Sequence, residues 1–292
     1  MLCRCLFSSI RARTVWSLSQ QLNSTRYVTL GWRRYTAAVS PSCDGSVVSE
    51  SNRAETTLKR FWKTVGIESR DCGIVVTLDK RALKTPSGNI LSLPKEKRLA
   101  ATLIANEWEN QEKFLKQHAL PMTSIAARAI DALRDETTRA EVQASLLNYL
   151  DTDTICFHHD DPPPLVELQK KHWDPLLEWA RRAYDVEIQV FNSILFHSQP
   201  ERTRQILGDV VAQMDPWEMA AMERVTYVTK SFLIALALVK RHLTAEQASQ
   251  AAHVEVSSQI QRWGEVEDTH DVDFHDARRQ LGSSACLVTN MT

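Results

Sequence analysis

Gly73-Ile74-Val75-Val76-Thr77-Leu78 and, after two turns, Ile90-Leu91-Ser92-Leu93 followed by Pro94 decide the fold class. The first run is dense in β-branched and aliphatic residues, the composition that packs on a pleated surface. Asp79-Lys80-Arg81 reads as the turn that ends it, and Thr85-Pro86-Ser87-Gly88-Asn89 as a second turn before the next run. Together they predict a small hairpin-based sheet. Pro94 then suits the first turn of a helix, because its missing N–H would have no partner there.

Downstream the period changes. Leu99, Leu103, Ile104, Trp108 and Leu115 recur at helical spacings and predict one apolar stripe. A second helix is expected over 136–150, with Val142, Leu146, Leu147 and Leu150 inward. Pro162-Pro163-Pro164 reads as a rigid connector to a helix through Leu165, Leu168, Trp173, Leu176, Leu177 and Trp179, and Val186–Phe191 as a short extended piece. Asp215-Pro216-Trp217-Glu218 and Thr244-Ala245-Glu246-Gln247 both carry an acceptor at the cap and a Glu or Gln three residues later, the signature of a helix start. The second is expected to open a helix that reaches Trp263. The outline is α+β: a small N-terminal β domain over 58–93, a larger mostly α-helical domain over 94–282, and a disordered tail over 283–292.

Upstream of the sheet the chain has another character. The 292 residues hold 35 Lys+Arg against 36 Asp+Glu, a net charge of −1. Yet residues 1–43 contain six arginines (Arg4, Arg11, Arg13, Arg26, Arg33, Arg34) with no lysine and no acid, which leaves the rest of the chain at −7. An Arg-rich, Ser-rich, acid-free start is the pattern of a mitochondrial transit peptide. Residues 1–35 are expected to be that leader, cut near Tyr35 after Arg33-Arg34, and 36–57 a flexible linker. The acidic remainder is not that of a general nucleic-acid binder. The longest apolar run, Ser231–Val239, is nine residues between two lysines, and a spanning helix needs about 20. No stable membrane insertion is expected.

Several chemistries lack their motifs. Only eight glycines occur, none in G-x-G or G-x-x-x-x-G-K spacing, so neither a dinucleotide fingerprint nor a P-loop is present. Of the six cysteines, Cys3, Cys5 and Cys43 fall in or beside the leader, and Cys72, Cys156 and Cys286 lie far apart with no C-x-x-C pair. No G-x-S-x-G nominates a nucleophile. His158-His159-Asp160-Asp161 is metal-like in composition but lacks a preorganised spacing and reads as a solvated loop. The run Asp268, His270, Asp271, Asp273, His275 and Asp276 reads as a charged helix face. No catalytic residue, metal ligand or cofactor site is assigned.

The stretch Gln261-Arg262-Trp263-Gly264-Glu265-Val266-Glu267 stands out. Val256, Ile260 and Trp263 continue an apolar stripe that reads as inward, and Gly264 suits the end of the helix. Glu267 follows, either to cap backbone N–H groups, the reading the residues alone favour, or to be offered to a partner.

With these residues in view, the chain resembles the mitochondrial assembly chaperones that act on the alpha subunit of the F(1) head of ATP synthase. The likeness is carried by Leu150-Asp151-Thr152-Asp153-Thr154-Ile155-Cys156, Trp173-Asp174-Pro175, the Gln261–Glu267 stretch with His270-Asp271, Thr85-Pro86 and Asn106-Glu107-Trp108, in order over Phe61 to Arg279. It implies a matrix chaperone without catalytic activity or cofactor, a monomer that binds the unassembled alpha subunit until the beta subunit replaces it. It also implies that Glu267 meets the partner, supported by Trp263, Gly264 and Asp271, while Trp108, Asp151, Asp153 and Trp173 are structural. Two other readings stand beside it: a metal-dependent enzyme using the C-terminal Asp/His run, and a general holdase.

Overall fold

The computed structural model describes residues 59–71, 73–193, 198–266 and 269–291. The leader and linker expectations lie outside these residues, as do Cys72, Glu267 and Asp268. Strands β1 (Val65–Arg70), β2 (Gly73–Leu78), β3 (Arg81–Ala82) and β4 (Ser92–Leu93) form one antiparallel sheet. β2 is central, pairing with β1 from Val65↔Leu78 to Arg70↔Gly73 and, along its other edge, with β3 and β4. All six β2 residues are buried, which is why its sequence is continuously apolar rather than alternating. β1 escaped the sequence reading because its Val-Gly-Ile-Glu-Ser-Arg is half polar and lies at the edge.

Gly73 is fixed by geometry. Its φ of +126° is one that L side chains rarely adopt, and a Cβ there would be driven into the Leu93 carbonyl oxygen. The turn after β2 uses Asp79 and Lys80 at positive φ, and the Asp79 carboxylate accepts the Lys63 and Thr64 N–H groups at 3.0 and 2.9 Å.

Eleven α-helices follow among the described residues: α1 (Arg98–Glu109), α2 (Pro121–Asp131), α3 (Glu136–Asp151), α4 (Pro163–His172), α5 (Asp174–Tyr184), α6 (Glu201–Ala212), α7 (Pro216–Thr229), α8 (Phe232–Val239), α9 (Ala245–Ala252), α10 (Val254–Trp263) and α11 (Thr269–Val288). The fold class is α+β, as expected. Pro94 precedes a 3-10 turn, Lys95–Lys97, instead of opening α1 directly. Leu115 lies beyond the end of α1, so the expected stripe stops at Trp108. Both capping boxes form, at Asp215 with Glu218 and at Thr244 with Gln247. The helix expected through Trp173 is two, broken before Pro175, whose ring cannot continue the preceding ladder. The helix expected from Thr244 to Trp263 is likewise two, broken at His253, whose Nδ1 lies 2.7 Å from the Ser249 carbonyl oxygen.

α8 is the centre. All eight of its residues are buried, and α3, α5, α7, α9 and α11 pack around it. The short apolar run that is too brief for a bilayer is thus a buried core helix. The sheet packs on α1, and one continuous apolar core extends from β2 through α8 to α11.

The C-terminal expectation is corrected here. Residues 283–288 do not form a disordered tail but complete α11, with Leu281, Ser284 and Leu287 fully buried on a helical stripe. The helix end is secured: the Lys97 ammonium donates to the Leu287 carbonyl at 2.9 Å, and the Arg241 guanidinium to the Val288 carbonyl at 2.7 Å. Burial lowers the Lys97 pKa, and the carbonyls at the negative end of the helix dipole compensate its charge.

Candidate partner-binding surface

The motif residues within the body hold elements together. Asp151 pairs with Arg204 and accepts the Gln199 N–H at 2.9 Å. Asp153, fully buried, accepts the N–H groups of Ile155 and Leu233 at 3.2 and 2.8 Å, so one carboxylate caps a 3-10 turn and the start of α8. Burial pushes its pKa from 3.8 up to about 6 against those hydrogen bonds. Trp173 is fully buried at the α4–α5 break, its indole N–H donating to the Ala251 carbonyl at 2.8 Å. Trp108 is half-buried beside Trp62 (centroids 5.0 Å apart), and its indole N–H donates to Thr123 Oγ1 at 3.0 Å.

The neighbours of these residues explain two further motifs. The Glu107 carboxylate accepts the Met122 and Thr123 N–H groups at 2.7 and 2.9 Å, capping α2 from α1. Burial nevertheless raises its pKa. Asp131 accepts from Thr85 Oγ1 at 2.6 Å and Asn89 at 2.8 Å, pinning the Thr85–Asn89 turn to α2. Burial would raise its pKa, but these bonds outweigh that and hold it below the ordinary value.

The outward chemistry gathers where α10 meets α11. Gly264 ends α10 at φ +86° with open space around it, and its N–H donates to the Ile260 carbonyl at 2.8 Å. Val256 and Ile260 are half-buried, but Trp263 does not continue inward. It is 70 % exposed, with the Arg262 guanidinium 5.0 Å from its ring centroid. The stripe breaks because full burial along α10 ends at Ser258, leaving its last turn uncovered. Val266, Val272 and Phe274 are exposed as well, at 58, 64 and 42 %. The Val266 N–H donates to His270 Nδ1 at 3.0 Å, tying the connection to α11. Asp271 is exposed in the first turn of α11, where its charge suits the helix dipole.

Of the expected partner-facing residues, Trp263, Gly264 and Asp271 are exposed on either side of the α10–α11 connection, and Glu267 lies outside the described residues. Val266, Val272 and Phe274 were not singled out from the sequence. Phe274 was findable, since it is in register with the buried Ala277 and Leu281 but one turn nearer the helix start. Behind the ring, Arg278 stacks over Phe274 at 3.2 Å and holds Glu246 at 2.8 Å, securing α11 to α9.

The two histidine-acid clusters are exposed surfaces. His159, Asp160 and Asp161 are exposed before α4, while His158 is half-buried against Trp173. His275 and Asp273 are exposed on α11, and Asp276 pairs with Arg279. No grouping of metal-ligating side chains occurs among the described residues, and no described helix is long and apolar enough to cross a membrane.

A four-stranded sheet set on a helical body, with exposed apolar and acidic side chains on either side of the α10–α11 connection, defines an α+β protein whose outward chemistry is that of a binding surface. The family model described as ATP12 chaperone protein matches residues 59–181. The mitochondrial protein atp12 of Schizosaccharomyces pombe is 33% identical over 250 residues, 83% of this chain and 86% of its own length. Mitochondrial ATP12 of Saccharomyces cerevisiae is 28% identical, covering 83% of this chain and 87% of its own. The crystal structure of Atp12 from Paracoccus denitrificans superposes with a TM-score of 0.69 at 28% identity, covering 80% of this chain and 98% of that one. The chain belongs to the ATP12 chaperone family.

Proposed function

We propose that this chain is an ATP-independent, non-enzymatic chaperone of the mitochondrial matrix. It would bind the unassembled alpha subunit of the F(1) head of ATP synthase and shield it until the beta subunit takes its place. The observation that carries the reading is the run of exposed apolar side chains on either side of the α10–α11 connection, Trp263 and Val266 before it and Val272 and Phe274 in the first turns of α11, on a member of a chaperone family. Exposed large apolar side chains concentrated in one stretch of a folded chain are characteristic of protein-binding surfaces, and tryptophan is prominent among residues that anchor interfaces. A subunit awaiting its partner presents a similar patch. A chaperone that binds it more weakly than the final partner is displaced by mass action, with no nucleotide consumed. The acid-free, arginine-bearing first 43 residues support delivery to mitochondria.

Glu267, with Trp263, Gly264 and Asp271, is assigned to the client contact. In cells whose only copy carries Glu267→Lys, assembled ATP synthase on native gels should fall to background while the chaperone itself remains soluble and abundant. Normal ATP synthase levels in those cells would remove Glu267 from the interface.

A further inference from the structure

Trp263 also lines a groove between α4 and α10, helices that pack on each other. The cavity is about 320 Å³, with Pro162 and Leu165 on the α4 side, Ser258 and Trp263 on the α10 side, and Asp161 and Glu255 among its lining residues. Leu165 and Ser258 are buried, whereas both acids are exposed. Such a volume is at the small end of ligand sites, about 300–1,000 Å³, and suits one large side chain with its backbone.

The charges supply the second constraint. Neither Asp161 nor Glu255 has an ion-pair partner among the described residues, and Arg262 is engaged with the Trp263 ring. By contrast Asp151, Glu223 and Glu246 on the same helical body are each matched to an arginine. The lining also holds His159, Gln259 and Arg262, so the groove sets two carboxylates against one guanidinium beside the apolar surfaces of Leu165 and Trp263. That excess of acid complements an apolar side chain with a cation beside it, and the acidic balance of −7 over residues 44–292 acts in the same direction at longer range.

We propose that the α4–α10 groove is a docking cleft for a client segment in which a large apolar side chain is flanked by lysine or arginine. The apolar side chain enters against Leu165 and the Trp263 ring, and the flanking cation meets Asp161 and Glu255. This rests on the chaperone reading above and extends it, since the groove shares Trp263 with the proposed client contact.

The test uses the full chain without its leader and two short synthetic peptides, a central Phe flanked by arginines and the same peptide flanked by glutamates. The arginine peptide should bind at least tenfold tighter than the glutamate peptide. Asp161→Lys with Glu255→Lys should invert that preference, and Asp161→Asn with Glu255→Gln should erase it. Trp263→Ala should weaken the arginine peptide about tenfold, the loss of roughly 1.4 kcal/mol. Both acid positions changed are exposed, and an unchanged circular dichroism spectrum verifies the fold. Equal binding of both peptides by wild type and the charge-reversed form would overturn the groove, whether or not the alpha subunit is captured. Charge-sensitive peptide binding without capture of the alpha subunit would leave the groove standing and overturn the client assignment. Dimerisation abolished by the charge reversal would give the groove to a second copy and overturn the proposal.

Discussion

Asp153 shows how a single buried carboxylate becomes part of the scaffold and leaves a measurable trace. Its pKa of about 6 lies above the unfolded value of 3.8, so between those values the native state holds a proton that the unfolded chain has released. Stability contributed by this group is therefore present at acid pH and is lost as pH rises through the window. The shift of about two units amounts to ~3 kcal/mol at ~1.4 kcal/mol per unit. Asp153→Asn keeps the shape but not the titration. Urea unfolding at pH 4 and pH 7 should show the variant gaining on the wild type by up to ~3 kcal/mol at the higher pH, over a constant loss from the missing acceptor. Parallel pH profiles would show that the carboxylate does not titrate in this window. Trp108 makes a different statement. Its ring packs on Trp62 and its N–H reaches Thr123, so Trp108→Arg should cost ~3 kcal/mol and lower the melting temperature. An unchanged melting temperature would assign Trp108 to the surface.

At the scale of elements, legibility followed local chemistry. β2, the Thr85–Asn89 turn, α3 and the two capping boxes were readable because each is specified by side chains within a few residues of it. β1 was not, since its stability comes from pairing with β2 and not from its own composition. α2, rich in alanine, is secured by Glu107 from a neighbouring helix, a partner that sequence spacing does not reveal. The end of α11 was hidden for the same reason. Residues 283–292 read as a disordered tail, while the residues that fix the helix end, Lys97 and Arg241, are distant in sequence. A chain ending at Ser283 would lose the buried Leu287 and Val288, each worth about 1.5–3 kcal/mol, and would leave Lys97 without its carbonyl. It should unfold at a clearly lower urea concentration. A truncated chain as stable as the full one would restore the disordered-tail expectation.

For the molecule as a whole, the candidate surface was only partly legible. Trp263, Gly264 and Asp271 were nominated by resemblance, and the inward stripe expected for Trp263 failed because periodicity reports which residues share a face, not whether anything covers it. Val272, Val266 and the α4–α10 groove depend on which faces the packed helices leave uncovered, which is a property of the assembled fold. The net charge of −1 divides in the same way, into +6 over residues 1–43 and −7 over the remainder. The exposed apolar side chains, the acidic remainder and the absence of a phosphate-loop motif are together compatible with shielding a client by contact alone. Affinity capture on the full chain from mitochondria that lack the beta subunit tests this most directly. The alpha subunit should be enriched on the wild-type chain, lost from Glu267→Lys, and released when purified beta subunit is added. Recovery of many unrelated matrix proteins in place of the alpha subunit would contradict the assignment.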